Sequence, residues 1–123
     1  MKKMMPQEIE VWYLIPAIRR EIAKIFIEDD KLTQKRTAEI LGVSEAAISQ
    51  YFKSKRAKEI KFSKKELVEI KKVAEKIVDN PDCLMEGLYD LSTLFRKSKT
   101  ICELHRAMDS SVSEKCTICL DKN

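Results

Sequence analysis

The sequence predicts an all-α protein, a compact helical bundle around one hydrophobic core, and three observations carry that expectation. Only two of 123 residues are glycine and three are proline, so few positions oppose a helix. Charged residues make up 36% and apolar residues 44%, the mixture of a folded, highly charged helical chain rather than a disordered or β-rich one. Apolar residues recur at steps of three and four, and proline or a hydroxyl residue stands at the head of several of those runs. The length suits one core with a small appendage; a second full domain is not expected.

The opening "MPQEIEVWYLIPAIRREIAKIFIEDD" begins at Pro6, which fits a first helical turn because its missing amide would be unpaired there anyway. Pro16 would interrupt a helix interior, so this stretch reads as two helical pieces or one kinked helix. After it, Ile18, Ile22, Ile25 and Phe26 mark the first core helix. "TQKRTAEIL" and "SEAAISQYF" follow, led by Thr33 and Ser44, whose hydroxyls can accept from the free amides of a first turn, with Gly42 between them. In "FSKKELVEIKKVAEKIVDNP", Ser63 and Glu66 have capping-box spacing, Leu67, Ile70, Val73 and Ile77 form a stripe, and Asn80-Pro81 is a stop. "DCLMEGLYDLSTLFRKSK" repeats the stripe with Leu84, Leu88, Leu91 and Phe95. Beyond Ser98 the pattern fades, and the rest reads as a short tail rich in cysteine, serine and charge. The chain divides into residues 1–62, carrying the glycine-hinged pair, and 63–123, a helical dimerisation or sensor region with the cysteine cluster.

The formal net charge is +4, and its distribution is uneven. Residues 1–62 hold 13 Lys and Arg against 9 Asp and Glu, whereas 63–123 hold 11 of each, so the surplus lies where an anionic partner would dock. No apolar run approaches the length of a membrane span, and "MKKMMPQEIE" lacks an apolar signal core. A cytoplasmic protein is expected, in which four cysteines serve as thiols or metal ligands rather than as disulfides.

Residues 32–56, "LTQKRTAEILGVSEAAISQYFKSKR", have the layout of a helix-turn-helix. In that unit one helix packs across a second so that the second lies in the major groove, and the turn favours glycine because one residue takes a left-handed conformation. Small Ala38 permits close approach, and Leu41, Val43 and Ile48 supply contacts between the helices. In base-reading terms, Gln50 can pair with an adenine edge, Ala46 and Ala47 can touch a thymine methyl, Glu45 can accept from cytosine, and Ser44 and Ser49 can bond bases or phosphates. "KSKRAKEIKFSKK" holds seven basic residues against one acidic, with Lys53, Lys55 and Arg56 the candidate phosphate contacts.

The pattern "LTQ...A...LGVS...IS.Y" resembles the helix-turn-helix of the Cro/CI (Xre-like) family of transcription regulators, over roughly residues 16–56. The resemblance implies a lambda-repressor-like DNA-binding domain acting on double-stranded DNA as a homodimer. It implies that Thr33 and Gln34 lie at the phosphate-facing start of the first motif helix, with Gln34 clamping a phosphate, and that Ser44, Glu45, Ala46, Ala47, Ser49 and Gln50 face base edges. Two departures are visible: a lysine-rich segment replaces the glycine common after the recognition helix, and Glu45 brings negative charge close to DNA.

The end of the chain carries a second pattern. Cys102, His105, Cys116 and Cys119 read C-x2-H-x10-C-x2-C, with Cys83 nineteen residues before Cys102. Ligands two residues apart let one tight turn present both to one metal ion. Zinc would take Cys102, His105, Cys116 and Cys119; an iron–sulfur cluster would take Cys83, Cys102, Cys116 and Cys119 and leave His105 free. The whole layout also resembles small archaeal-type regulators with cysteine-rich C-terminal tails, which implies redox- or iron-responsive regulation through such a cluster, with a structural zinc site as the alternative. The competing plain reading makes Cys83 a small buried hydrophobe and expects the tail to be a disordered end with reactive thiols. The sequence has no phosphate-binding loop, and its lone histidine sits among cysteines, so an enzyme is not expected. A protein-interaction adaptor is the remaining alternative, opposed by lysine at the candidate face.

Overall fold

The chain enters through Pro6–Ile9 (α1), where the Glu8 carboxylate accepts from the Met5 amide at 2.9 Å and so ties down one free donor of the first turn. The computed structural model describes residues 3–53 and 60–108, and among these every regular element is helical. α1 runs through a π-helical turn, Glu10–Leu14, directly into Ile15–Glu28 (α2). The Ile15 amide reaches back five residues to the Glu10 carbonyl. This widened turn resolves the question raised by Pro16: the ring that would clash within a regular α-helix sits in the first turn of a new register, so neither a gap nor a separate helix is needed.

Three helices follow α2: Gln34–Leu41 (α3) and Glu45–Lys53 (α4), the pair hinged at Gly42, and Lys64–Asp79 (α5). Ser63 and Glu66 form the expected reciprocal box, the Glu66 carboxylate accepting from the Ser63 amide at 2.8 Å and the Ser63 hydroxyl accepting from the Glu66 amide at 3.2 Å. α5 ends at Asn80; a 3-10 turn at Pro81–Cys83 then leads into Leu84–Arg96 (α6). The buried stripe of α5 is Ile70, Ala74 and Ile77, with Val73 half-buried. Leu67, in the first turn of α5, is exposed.

A further helix, Lys99–Met108 (α7), occupies part of the region beyond Ser98, where the apolar pattern fades into a tail. Its amide at Ile101 donates to the Ser98 hydroxyl, and Ile101, Leu104 and His105 are buried. The signal was a capping serine followed by apolar residues three apart, obscured by Cys102 and the charged residues interleaved with them.

One hydrophobic cluster draws on both halves of the chain: Ile18, Ile22 and Phe26 of α2 lie in it with Ile48 of α4, Ile70 and Ile77 of α5, and Leu91 and Phe95 of α6. α5 and α6 approach closely at Gly87, where an added Cβ would stand 2.8 Å from a Val73 methyl. Glycine is required there by space, not by backbone conformation.

Candidate nucleic-acid interface

The α3–α4 pair is shaped by four local bonds. Thr33 accepts from the Arg36 amide at 3.0 Å and Ser44 accepts from the Ala47 amide at 3.0 Å, so each helix has the hydroxyl cap expected of it. Between them Gly42 takes φ +67° and ψ 32°, and the two amides that follow α3 return to it: Gly42 to the Glu39 carbonyl and Val43 to the Ala38 carbonyl. No heavy atom lies within 4 Å of a Cβ built on Gly42, so the demand for glycine here is purely conformational.

Packing then fixes which side of α4 is inside. Ile48 is fully buried, Ala38 and Leu41 are buried opposite it, and Val43 is half-buried. Tyr51 and Phe52 pack half-buried against the same core, and the Arg20 guanidinium of α2 lies 5.9 Å from the Phe52 ring centroid. That cation–ring contact was not anticipated from the sequence, since nothing in a chain separation of 32 residues announces it. The opposite side of α4 presents Glu45, Ala46, Gln50 and Lys53 to solvent, with Ser44 exposed at its start. Ala47 and Ser49 are half-buried at the flanks. Gln50 and Lys53 make no hydrogen bond or ion pair among the described residues. Lys55 and Arg56 lie outside the described residues.

Gln34 has a distinct position. Its Nε2 lies 3.0 Å from the Glu45 carbonyl oxygen and 2.7 Å from the Ser49 hydroxyl. A backbone carbonyl only accepts, so the atom beside it must be the amide nitrogen, and both of its hydrogens are used. Gln34 therefore locks α3 to α4 and leaves only an acceptor, Oε1, for a ligand. Clamping a phosphate would require it to surrender one of these bonds. Replacing Gln34 with methionine, which keeps length but donates nothing, is expected to lower stability by about 1 kcal/mol, read as a fall of roughly 4 °C in the unfolding midpoint without DNA. A residue serving only as a ligand contact would leave that midpoint at the wild-type value.

The metal candidates are placed apart from this face. Cys83 and Cys102 are free, half-buried thiols; the Cys83 Sγ donates toward the Lys76 carbonyl at 3.5 Å. Cys102 and His105 are one turn apart on α7, an α-helix rather than the tight turn expected of them. His105 is buried with Nε2 2.6 Å from the Met4 carbonyl oxygen, joining the two ends of the described chain. Cys116 and Cys119 lie outside the described residues. Among the described residues no three His, Cys, Asp or Glu side chains converge as a metal site. No helix among the described residues is long and apolar enough to cross a membrane.

Comparison with protein-family models, with curated proteins and with solved structures returns no match.

Proposed function

We propose that the chain binds double-stranded DNA sequence-specifically, as a transcription regulator of the helix-turn-helix type, with α4 entering the major groove. The observation that supports this most directly is the two-sidedness of α4: Ile48 is sealed into the core while Ala46, Gln50 and Lys53, at i, i+4 and i+7, share one solvent face without internal partners. A helix serving only to cover the core has no need of a face that combines a thymine-sized methyl, an amide able to bond an adenine edge and a cation for the backbone. The charge surplus of residues 1–62 agrees with this use.

Binding of a fluorescent duplex across a salt series tests the reading. With Lys53, Lys55 and Arg56 each neutralising one phosphate, log affinity should fall against log salt with a slope of about −3 per chain. An affinity that is flat between low and moderate salt overturns the phosphate contacts and the regulator reading with them. Pairing of two chains on two-fold related DNA belongs to the same proposal and is read by sedimentation with and without the duplex.

Redox or iron response through an iron–sulfur cluster on Cys83, Cys102, Cys116 and Cys119 is a further part of the proposal that rests on the resemblance of the cysteine-rich layout, with a structural zinc site as the alternative, and no step of DNA binding passes through a metal. Iron, sulfide and zinc analysis of anaerobically prepared full chain tests it.

A further inference from the structure

Away from α3 and α4, a groove of about 600 Å³ runs between the α1–α2 junction and α6. Its apolar lining includes Ile15 and buried Leu88, and Val11, Met85 and Tyr89 stand round it, three of the large apolar side chains that the fold leaves exposed. The volume falls within the range of small-molecule sites, and apolar surface left open beside a cleft is the ordinary mark of one.

Two further features meet in the same wall. The π-helical turn Glu10–Leu14 supplies Glu10 and Val11 to it, and such turns are concentrated at functional sites. The charges are also asymmetric. Glu10 and Arg96 neutralise one another at 2.6 Å, and Glu86 is exposed to water. Arg19 has neither solution: it makes no ion pair or hydrogen bond among the described residues, and its Nε is shielded from solvent without an acceptor. A guanidinium held beside apolar surface with unused donors favours a ligand that brings a carboxylate.

The geometry points to a binding site for a small amphipathic carboxylic acid, its aliphatic body along Val11, Ile15, Leu88 and Tyr89 and its carboxylate on Arg19. Glu10 and Arg96, already paired, serve as the neutral polar end of the wall. This inference does not depend on DNA binding and is tested without DNA.

The probe is decanoate, titrated into the full chain below its micellar range and followed by calorimetry and by amide chemical shifts, with decanol as the uncharged control and decylammonium as the opposite charge. Saturable decanoate binding is expected, roughly tenfold or more tighter than decanol, with decylammonium weakest. Arg19→Met, which keeps the stem and removes the charge, should bring decanoate down to the decanol level. Tyr89→Ser, at a residue 68% exposed and so without a role in the core, should weaken both ligands alike. Equal affinity for acid and alcohol overturns the proposal, as does decanoate binding that Arg19→Met leaves unchanged. It is equally overturned if decanoate does not bind; a change in sedimentation on Tyr89→Ser would then show that a second copy covers the groove.

Discussion

Arg96→Met is expected to destabilise the protein by about 2–4 kcal/mol, while the double variant Glu10→Leu with Arg96→Met recovers most of that loss. Glu10 is 8% exposed and receives the Arg96 Nε–H at 2.6 Å, across 86 residues of chain. Methionine preserves much of the arginine stem, so the variant removes the charge and the directed donor while keeping packing. A buried carboxylate is then left without its counter-charge, and that abandonment is the expensive step. The upper part of the range for fully buried pairs does not apply, because the Arg96 side chain is 34% exposed and water screens part of the interaction. Removing both charges replaces an ion pair by apolar contact in a wall already lined by Val11, Ile15 and Leu88, which is close to neutral. Urea unfolding at constant m-value reads the difference. Equal losses in the single and double variants would show that the arginine's own packing, rather than the stranded charge, holds the π-helical turn to α6.

This pair also shows where sequence reading ends. Thr33, Ser44, Ser63 with Glu66, and Asn80-Pro81 declared the helix boundaries because capping is settled within four residues of chain. Gly42 was legible for the same reason, as a left-handed conformation is a local demand. Leu67 shares the periodicity of Ile70 and Ile77 yet is exposed, because periodicity fixes spacing along a helix but not how far along it the neighbouring helices reach. Glu10 and Arg96, Arg20 and Phe52, and His105 and Met4 carry no local signature at all; each pair meets only after the core has assembled. His105 follows Cys102 by three, which is one helical turn, and α7 buries its imidazole against the Met4 carbonyl. The candidate face of α4 was more legible than its lock: the outward residues follow from Ile48 facing in, whereas the commitment of both Gln34 donors depends on the angle at which two helices cross.

Gln50→Ala combined with Lys53→Ala is expected to reduce specific duplex affinity by about 100-fold or more while leaving the unfolding midpoint unchanged. Both side chains are exposed and make no hydrogen bond or ion pair among the described residues, so the fold has nothing to lose with them. Their single variants should fail in different ways. Gln50→Ala removes a bidentate base contact, so it should flatten the preference among duplexes selected from a random pool by the wild type, at little change in salt dependence. Lys53→Ala removes a phosphate contact, so it should weaken every duplex by a similar factor and make the salt slope shallower by about 1. That contrast separates an interface read by α4 from mere attraction to a cationic surface, for which Gln50→Ala would do nothing. Should the double variant bind a selected duplex as tightly as the wild type, α4 is not the reading helix, and the exposed face opposite Ile48 must serve another partner.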